Sequence, residues 1–147
     1  MKIINCDAGL KEKIKSSFGQ KAYDHCLLDP QGKTFTAIDK NEPVGFISVK
    51  KFNLYPPIEH EHDLLIWIIE VRPEYRRKGI AKALIKRAAD YGREIGSVQL
   101  RAWSSSDKTE AIPMWKSLGF GLSPGHEYHE GKKIHGYHAT RSLKFDH

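Results

Sequence analysis

Arg76, Arg77 and Lys78 stand in a row, and Gly79 follows at once. The apolar run Leu64-Leu65-Ile66-Trp67-Ile68-Ile69 ends shortly before them. After them Ile80, Leu84, Ala88 and Tyr91 recur at helical spacing. A strand that stops, a basic turn with glycine and a helix N-terminus together make a phosphate cradle. The first N–H groups of a helix have no intrahelical partner, and the helix dipole adds partial positive charge. Arg and Lys contribute full charges and long-reach donors. The glycine spacing fits neither the G-x-x-x-x-G-K-S/T loop nor the G-x-G-x-x-G dinucleotide turn.

Other side chains could move protons or hold ions. Glu59, Glu61 and Asp63 cluster just ahead of the apolar run, and Glu70 sits at its end. Strand alternation places Asp63 on the face of Leu65 and Trp67, with Glu70 on the opposite face unless a bulge intervenes. Glu70 in an apolar strand calls for a partner. His60 and His62 fall on one strand face, and His126, His129, His135 and His138 lie near the C-terminus. No H-E-x-x-H or C-x-x-C spacing supports zinc, so no metal is expected.

These residues need elements to position them. Residues 2–6 read as a strand, residues 8–18 as a helix capped by Asp7, and residues 21–28 as a second helix. Strands are expected at 33–38, 44–52, 64–71 and 98–103, with a turn over 39–43. The strand 64–71 is apolar on both sides, as a strand covered on both faces should be. The helix after the basic turn stops near Gly96. Asp107 and Glu110 suggest a capping box, and Pro113 moves the next helix start to about residue 110, so that it falls in the first turn. Gly119 ends that helix, and residues 125–143 read as a hairpin turning near Glu130-Gly131. The order is β-α-α-β-β-β-α-β-α-β-β. It predicts an α/β fold with a mixed, mostly antiparallel central sheet and helices on both faces, in a single domain over residues 1–147.

Composition bounds the function. A net charge of +6 admits nucleic acid, an anionic membrane or a polyanionic cofactor. Seven of the twenty-four Lys and Arg lie between Arg72 and Arg87, which favours one compact polyanion over a duplex footprint. The expectation is therefore no specific nucleic acid and no membrane partner. Cys6 and Cys26 lack metal spacing and read as reduced thiols, and the chain shows no apolar leader, so a cytoplasmic protein is expected. A nucleic-acid-binding protein is the rival that charge alone would support; it predicts steeply salt-dependent binding.

The run Arg76-x-x-Gly79-x-Ala81, with Val71-x-Pro73 ahead of it and a helix behind, resembles the acyl-CoA-binding motif of the GCN5-related N-acetyltransferases, the GNAT family. That motif has the form Gln/Arg-x-x-Gly-x-Gly/Ala. Residues 111–120 resemble the family's second signature, Asn-x-x-Ala-x-x-Leu/Phe-Tyr-x-x-x-Gly-Phe, and Ala111, Gly119 and Phe120 match in register. The phrase Pro43-Val44-Gly45-Phe46-Ile47 resembles the family's third strand. The resemblance covers residues 2–142 and implies an N-acetyltransferase moving the acetyl group of acetyl-CoA to a primary amine by direct attack. The acceptor is a small molecule or a peptide, and a homodimer is compatible with the reading. The alternative is an acyl-CoA-binding sensor or scaffold of the same fold with little catalysis.

By resemblance, main-chain groups of Ile69 and Val71 hold pantetheine, and Arg76, Arg77, Lys78, Gly79, Ile80 and Ala81 hold the pyrophosphate. Two positions depart from the signature. Lys108 replaces the asparagine and either reaches a CoA phosphate or is simply solvated. Trp115 replaces the tyrosine that often protonates the departing thiolate; an indole N–H donates but does not titrate, though the ring can pack on pantetheine. The family's usual base positions on the central strand are Leu65 and Trp67, both apolar. Asp63, Glu61, His62 and Glu70 remain as candidate bases, and Tyr128, Tyr137 or water as candidate donors to the thiolate.

Overall fold

A computed structural model describes residues 1–144. The elements are β1 (Lys2–Asn5), α1 (Ala8–Phe18), α2 (Gln20–His25), β2 (Lys33–Asp39), β3 (Glu42–Asn53), β4 (His62–Val71), a 3-10 turn (Pro73–Tyr75), α3 (Ile80–Glu94), β5 (Gln99–Ser105), α4 (Ala111–Ser117), β6 (Gly121–His129) and β7 (Lys132–Ser142). The strands form one sheet in the order β1-β2-β3-β4-β5-β7-β6. Neighbours pair antiparallel except β4 and β5, which α3 joins as a crossover. The expected α/β architecture is present.

Two apolar layers flank the sheet. On one face α3 buries Ile80, Leu84, Ile85, Ala88 and Ala89 against Phe35, Ile47, Leu64, Ile66 and Leu100. Each large side chain so buried contributes about 1.5–3 kcal/mol. Trp115 of α4 and Phe120 extend the same core. On the other face α1 and α2 cover Phe46 with Ile14, Ala22 and Cys26. Asp7 Oδ1 accepts from the Leu10 N–H at 2.8 Å and starts α1, as its side chain predicts.

Some boundaries differ from the sequence expectation. The second helix ends at His25, three residues early, because the Cys26 N–H turns back to the Tyr23 carbonyl. The turn between β2 and β3 is tighter than expected: Lys40 and Asn41 both take positive φ, as a two-residue hairpin requires. Pro43 therefore lies inside β3, opposite Ile38, beside a bulge at Val44 that relieves the need for its missing N–H. No helix is long and apolar enough to cross a membrane, among the described residues.

Candidate active site

The site begins with a bulge in β4. Ser48 of β3 lies opposite Ile68, while its neighbour Val49 lies opposite Ile66, so Trp67 is an extra residue without a partner. Asp63 and Leu65 face Phe52 and Lys50; beyond the bulge Ile68 and Glu70 face Ser48 and Phe46. Those four partners alternate along β3 and share one face. The bulge thus carries Glu70 onto the face of Asp63, which two-residue alternation alone would not do.

The bulge also fixes where the β4 backbone points. The Arg72 N–H donates to the Val44 carbonyl at 2.9 Å. In an antiparallel ladder, bonded residues alternate, so Glu70 and Ile68 bond toward β3. Ile69 and Val71 then turn their N–H and C=O groups to the opposite side. There β5 pairs with β4 at Leu64 and Leu65, and the two strands diverge beyond, among the described residues. The β4 edge is left without a strand partner there, with Ile69 and Val71 on the wall of the resulting cleft between the two strands, as the end of the β4–β5 pairing implies. At its far end Arg76 Nε donates to the Val71 carbonyl at 3.3 Å.

The basic turn closes the same end of the strand. Arg77 and Gly79 both adopt positive φ, 63° and 79°. Gly79 caps α3 with no side-chain hydrogen bond, so the first N–H groups of the helix stay available, Ile80 and Ala81 included. A methyl group built on Gly79 would meet no protein atom within 4 Å. Glycine is required here by its left-handed backbone, not by crowding from the protein. Arg76, Arg77 and Lys78 are exposed, while the Ile80 side chain is buried in the core and offers its main chain. The ion pair Arg72–Glu74 at 2.8 Å braces the turn. So does the Tyr75 hydroxyl, which donates to Asp39 at 3.1 Å. That hydrogen bond holds the Tyr75 phenol above its ordinary pKa.

On the α1–α2 face the candidate acids differ in surroundings. Asp63 is fully buried. Its Oδ2 accepts from Gln99 Nε2 at 3.0 Å and lies 3.6 Å from Arg101 Nε, while Oδ1 is buried without a partner. The Arg101 guanidinium also stacks on Phe52, 4.8 Å from the ring centre. Glu70 is half-buried and has no side-chain hydrogen bond or ion pair among the described residues. Glu61 lies outside β4 in the preceding turn, 3.8 Å from exposed His60.

A strand buried on both faces would cover Trp67, yet this side chain is 42% exposed. The His25 ring at the end of α2 stacks on it at 5.9 Å and 23°, with Lys50 Nζ 4.1 Å from the ring centre. Gln99, Arg101 and this Trp67 cluster escape the sequence reading. An arginine and a glutamine two apart on a strand whose alternate residues are apolar would have pointed to the Asp63 contacts.

The remaining candidates are spread over both faces. Trp115 is 4% exposed and packs edge-on against Phe120 at 4.9 Å, and its Nε1–H is buried without a partner. The Lys108 side chain is exposed, while its backbone shapes the turn into α4. The expected capping box does not form: the Asp107 carboxylate accepts from the Ser105 hydroxyl, which lowers its pKa, and α4 starts uncapped. Tyr137 lies opposite Ser104 on the α3–α4 side, and Tyr128, near the β6–β7 turn, is 66% exposed. His60 precedes β4 and does not share a strand face with His62. His138 packs on Trp103 at 4.9 Å. No group of three metal-ligating side chains converges among the described residues.

The family model described as acetyltransferase (GNAT) family matches residues 4–120. An uncharacterized N-acetyltransferase of Methanocaldococcus jannaschii is 34% identical over 79 residues, 54% of this chain and 34% of that protein. Streptothricin acetyltransferase of Streptomyces lavendulae is 28% identical over 114 residues, 76% of this chain and 57% of that protein. Among solved structures, Arabidopsis thaliana NAA60 in complex with acetyl-CoA superposes with a TM-score of 0.79 at 16% identity, covering 98% of this chain and 99% of that one. The chain spans 34% to 58% of the length of the curated relatives it matches.

Proposed function

The chain belongs to the GNAT family of acetyltransferases, and on that premise we propose that it moves the acetyl group of acetyl-CoA to a primary amine by direct attack of nitrogen on the thioester. The observation that carries the reading is the divergence of β4 from β5 directly ahead of the uncapped α3 N-terminus. A CoA-shaped ligand needs that pairing of features: backbone groups for an amide-bearing arm and a cationic turn for a pyrophosphate.

Acetyl-CoA supplies an activated acyl group when bound. Ile69 and Val71 offer main-chain hydrogen bonds to the pantetheine amides. Arg76, Arg77, Lys78 and the N–H groups of Gly79, Ile80 and Ala81 hold the pyrophosphate. A main-chain N–H of β4 polarises the thioester carbonyl. Glu70 takes the proton of the attacking amine, directly or through water, because the bulge turns it onto the face of Asp63 and it has no ion pair there among the described residues. Asp63, tied to Gln99 and Arg101, positions the β4–β5 junction instead. The Trp115 N–H donates to the departing thiolate.

The acceptor is an amine on a small molecule or a peptide. The two free thiols fit a cytoplasmic setting. The test is calorimetric titration with CoA, followed by thiol release from acetyl-CoA over a panel of amines. Tight CoA binding with turnover on at least one amine is the expected result. CoA binding without turnover on any amine favours a sensor or scaffold, and no CoA binding removes the cleft assignment.

A further inference from the structure

Cys6 follows β1 and Cys26 follows α2, and neither takes part in the chemistry above. Their sulfurs stand 3.7 Å apart. Cys26 is 1% exposed within the apolar layer beneath α1 and α2, while Cys6 is half-buried at its rim. The two elements that carry them are otherwise joined through the intervening α1. Next to Cys26 is His25, whose ring stacks on Trp67 at the β4 bulge.

We propose that Cys6 and Cys26 are a redox modification site: a dithiol that small disulfides of the glutathione class oxidise to an intramolecular disulfide, fastening the end of α2 and the His25–Trp67 contact to β1. The chemistry has an accessible sulfur and a resolving one. Cys6, the more exposed, passes its proton to the hydrogen-bonded Cys26 sulfur and displaces one thiolate from the oxidant, leaving a mixed disulfide; the released thiolate takes the proton on from Cys26. The Cys26 thiolate then attacks the Cys6 sulfur and expels the second thiol. Two protein thiols are oxidised, and one small disulfide is reduced to two thiols. The shared hydrogen bond lowers the Cys26 pKa to about 7 and pushes the Cys6 thiol well above its ordinary range, so Cys6 attacks only as its proton moves to Cys26. The sulfurs need to close from 3.7 Å to bonding distance, about 2 Å.

The fold and the position of the thiols carry this proposal; it does not depend on the acetyltransferase reading. The chain is incubated with glutathione disulfide, then unfolded for thiol titration and intact-mass measurement. The wild type should lose both thiols and two hydrogens of mass, without retained glutathione and without cross-linked dimer. Cys26→Ser should instead hold one glutathione on Cys6. Closing the loop between residues 6 and 26 should raise Tm by about 5 °C or more, reversibly with dithiothreitol. Tryptophan emission should change on oxidation, and Trp67→Phe should abolish that change. Two free thiols remaining, a stable glutathione adduct on the wild type, or a disulfide-linked dimer would each overturn the site. Disulfide formation with unchanged emission would overturn its coupling to Trp67.

Discussion

Asp63 Oδ2 lies 3.6 Å from Arg101 Nε across the parallel β4–β5 junction, with the carboxylate fully buried and the guanidinium side chain 34% exposed. The two strands diverge immediately after Leu65 and Arg101, so this pair sits at the hinge of the cleft. Removing a single partner of a buried pair leaves the other without its counter-charge, a cost of up to about 3–5 kcal/mol when both are dry. Water reaches Arg101, so Asp63→Asn should cost less, about 2 kcal/mol. Urea unfolding measures it. A positioning role predicts lost stability and a weaker CoA site together, with an unchanged pH profile for residual turnover. Full stability with turnover rescued at high pH would make Asp63 the base after all.

The cationic turn makes a separate prediction. Arg76 braces the Val71 carbonyl three residues ahead of the Gly79 cap of α3. Arg76→Glu should weaken CoA binding at least tenfold by calorimetry, while the melting temperature stays within a few degrees, since the side chain is exposed. Gly79→Ala should cost about 1 kcal/mol of stability from its left-handed φ. Its CoA affinity should fall as well, although no protein atom opposes the methyl.

Much of this is legible in the sequence. The basic turn, the glycine and the start of α3 are local features, and a helix N-terminus is announced by adjacent residues. Charge and periodicity also place the sheet and its helices. The bulge at Trp67 is not legible, because nothing in Leu64–Ile69 marks which apolar residue lacks a partner; the register of β3 decides it. The burial of Asp63 is only half legible: Gln99 and Arg101 mark a polar strand face, but they lie 36 and 38 positions away, and the β4–β5 register decides that Asp63 meets them. Pairings of that range depend on tertiary packing.

Because the bulge reverses alternation after Trp67, Glu70 shares the face of Phe46 and Ile68 without a neutralising partner among the described residues. As the amine's base, its replacement by Gln should lower kcat by about a hundredfold or more. CoA affinity should be unchanged, because the side chain points away from the α3 face. A Glu70→Gln variant that keeps the wild-type kcat would return the proton to water or to another group.

Trp115 presents the last test. A buried N–H without a partner among the described residues is unusual and costly, and a ligand atom can satisfy it once a small shift of α4 opens it to the cleft. A hydrogen bond to a charged atom contributes about 1.5–3 kcal/mol, which is at least tenfold in rate when made only as the thiolate forms. Trp115→Phe keeps an aromatic ring against Phe120 and removes the donor. Its kcat should fall about tenfold or more, with CoA affinity changed less than threefold. A smaller ring in a packed site also costs stability, about 1–2 kcal/mol, so turnover is compared well below both melting temperatures. If Trp115 is core alone, the variant loses stability and keeps its kcat. If the indole packs on pantetheine without donating to sulfur, CoA affinity falls instead of kcat.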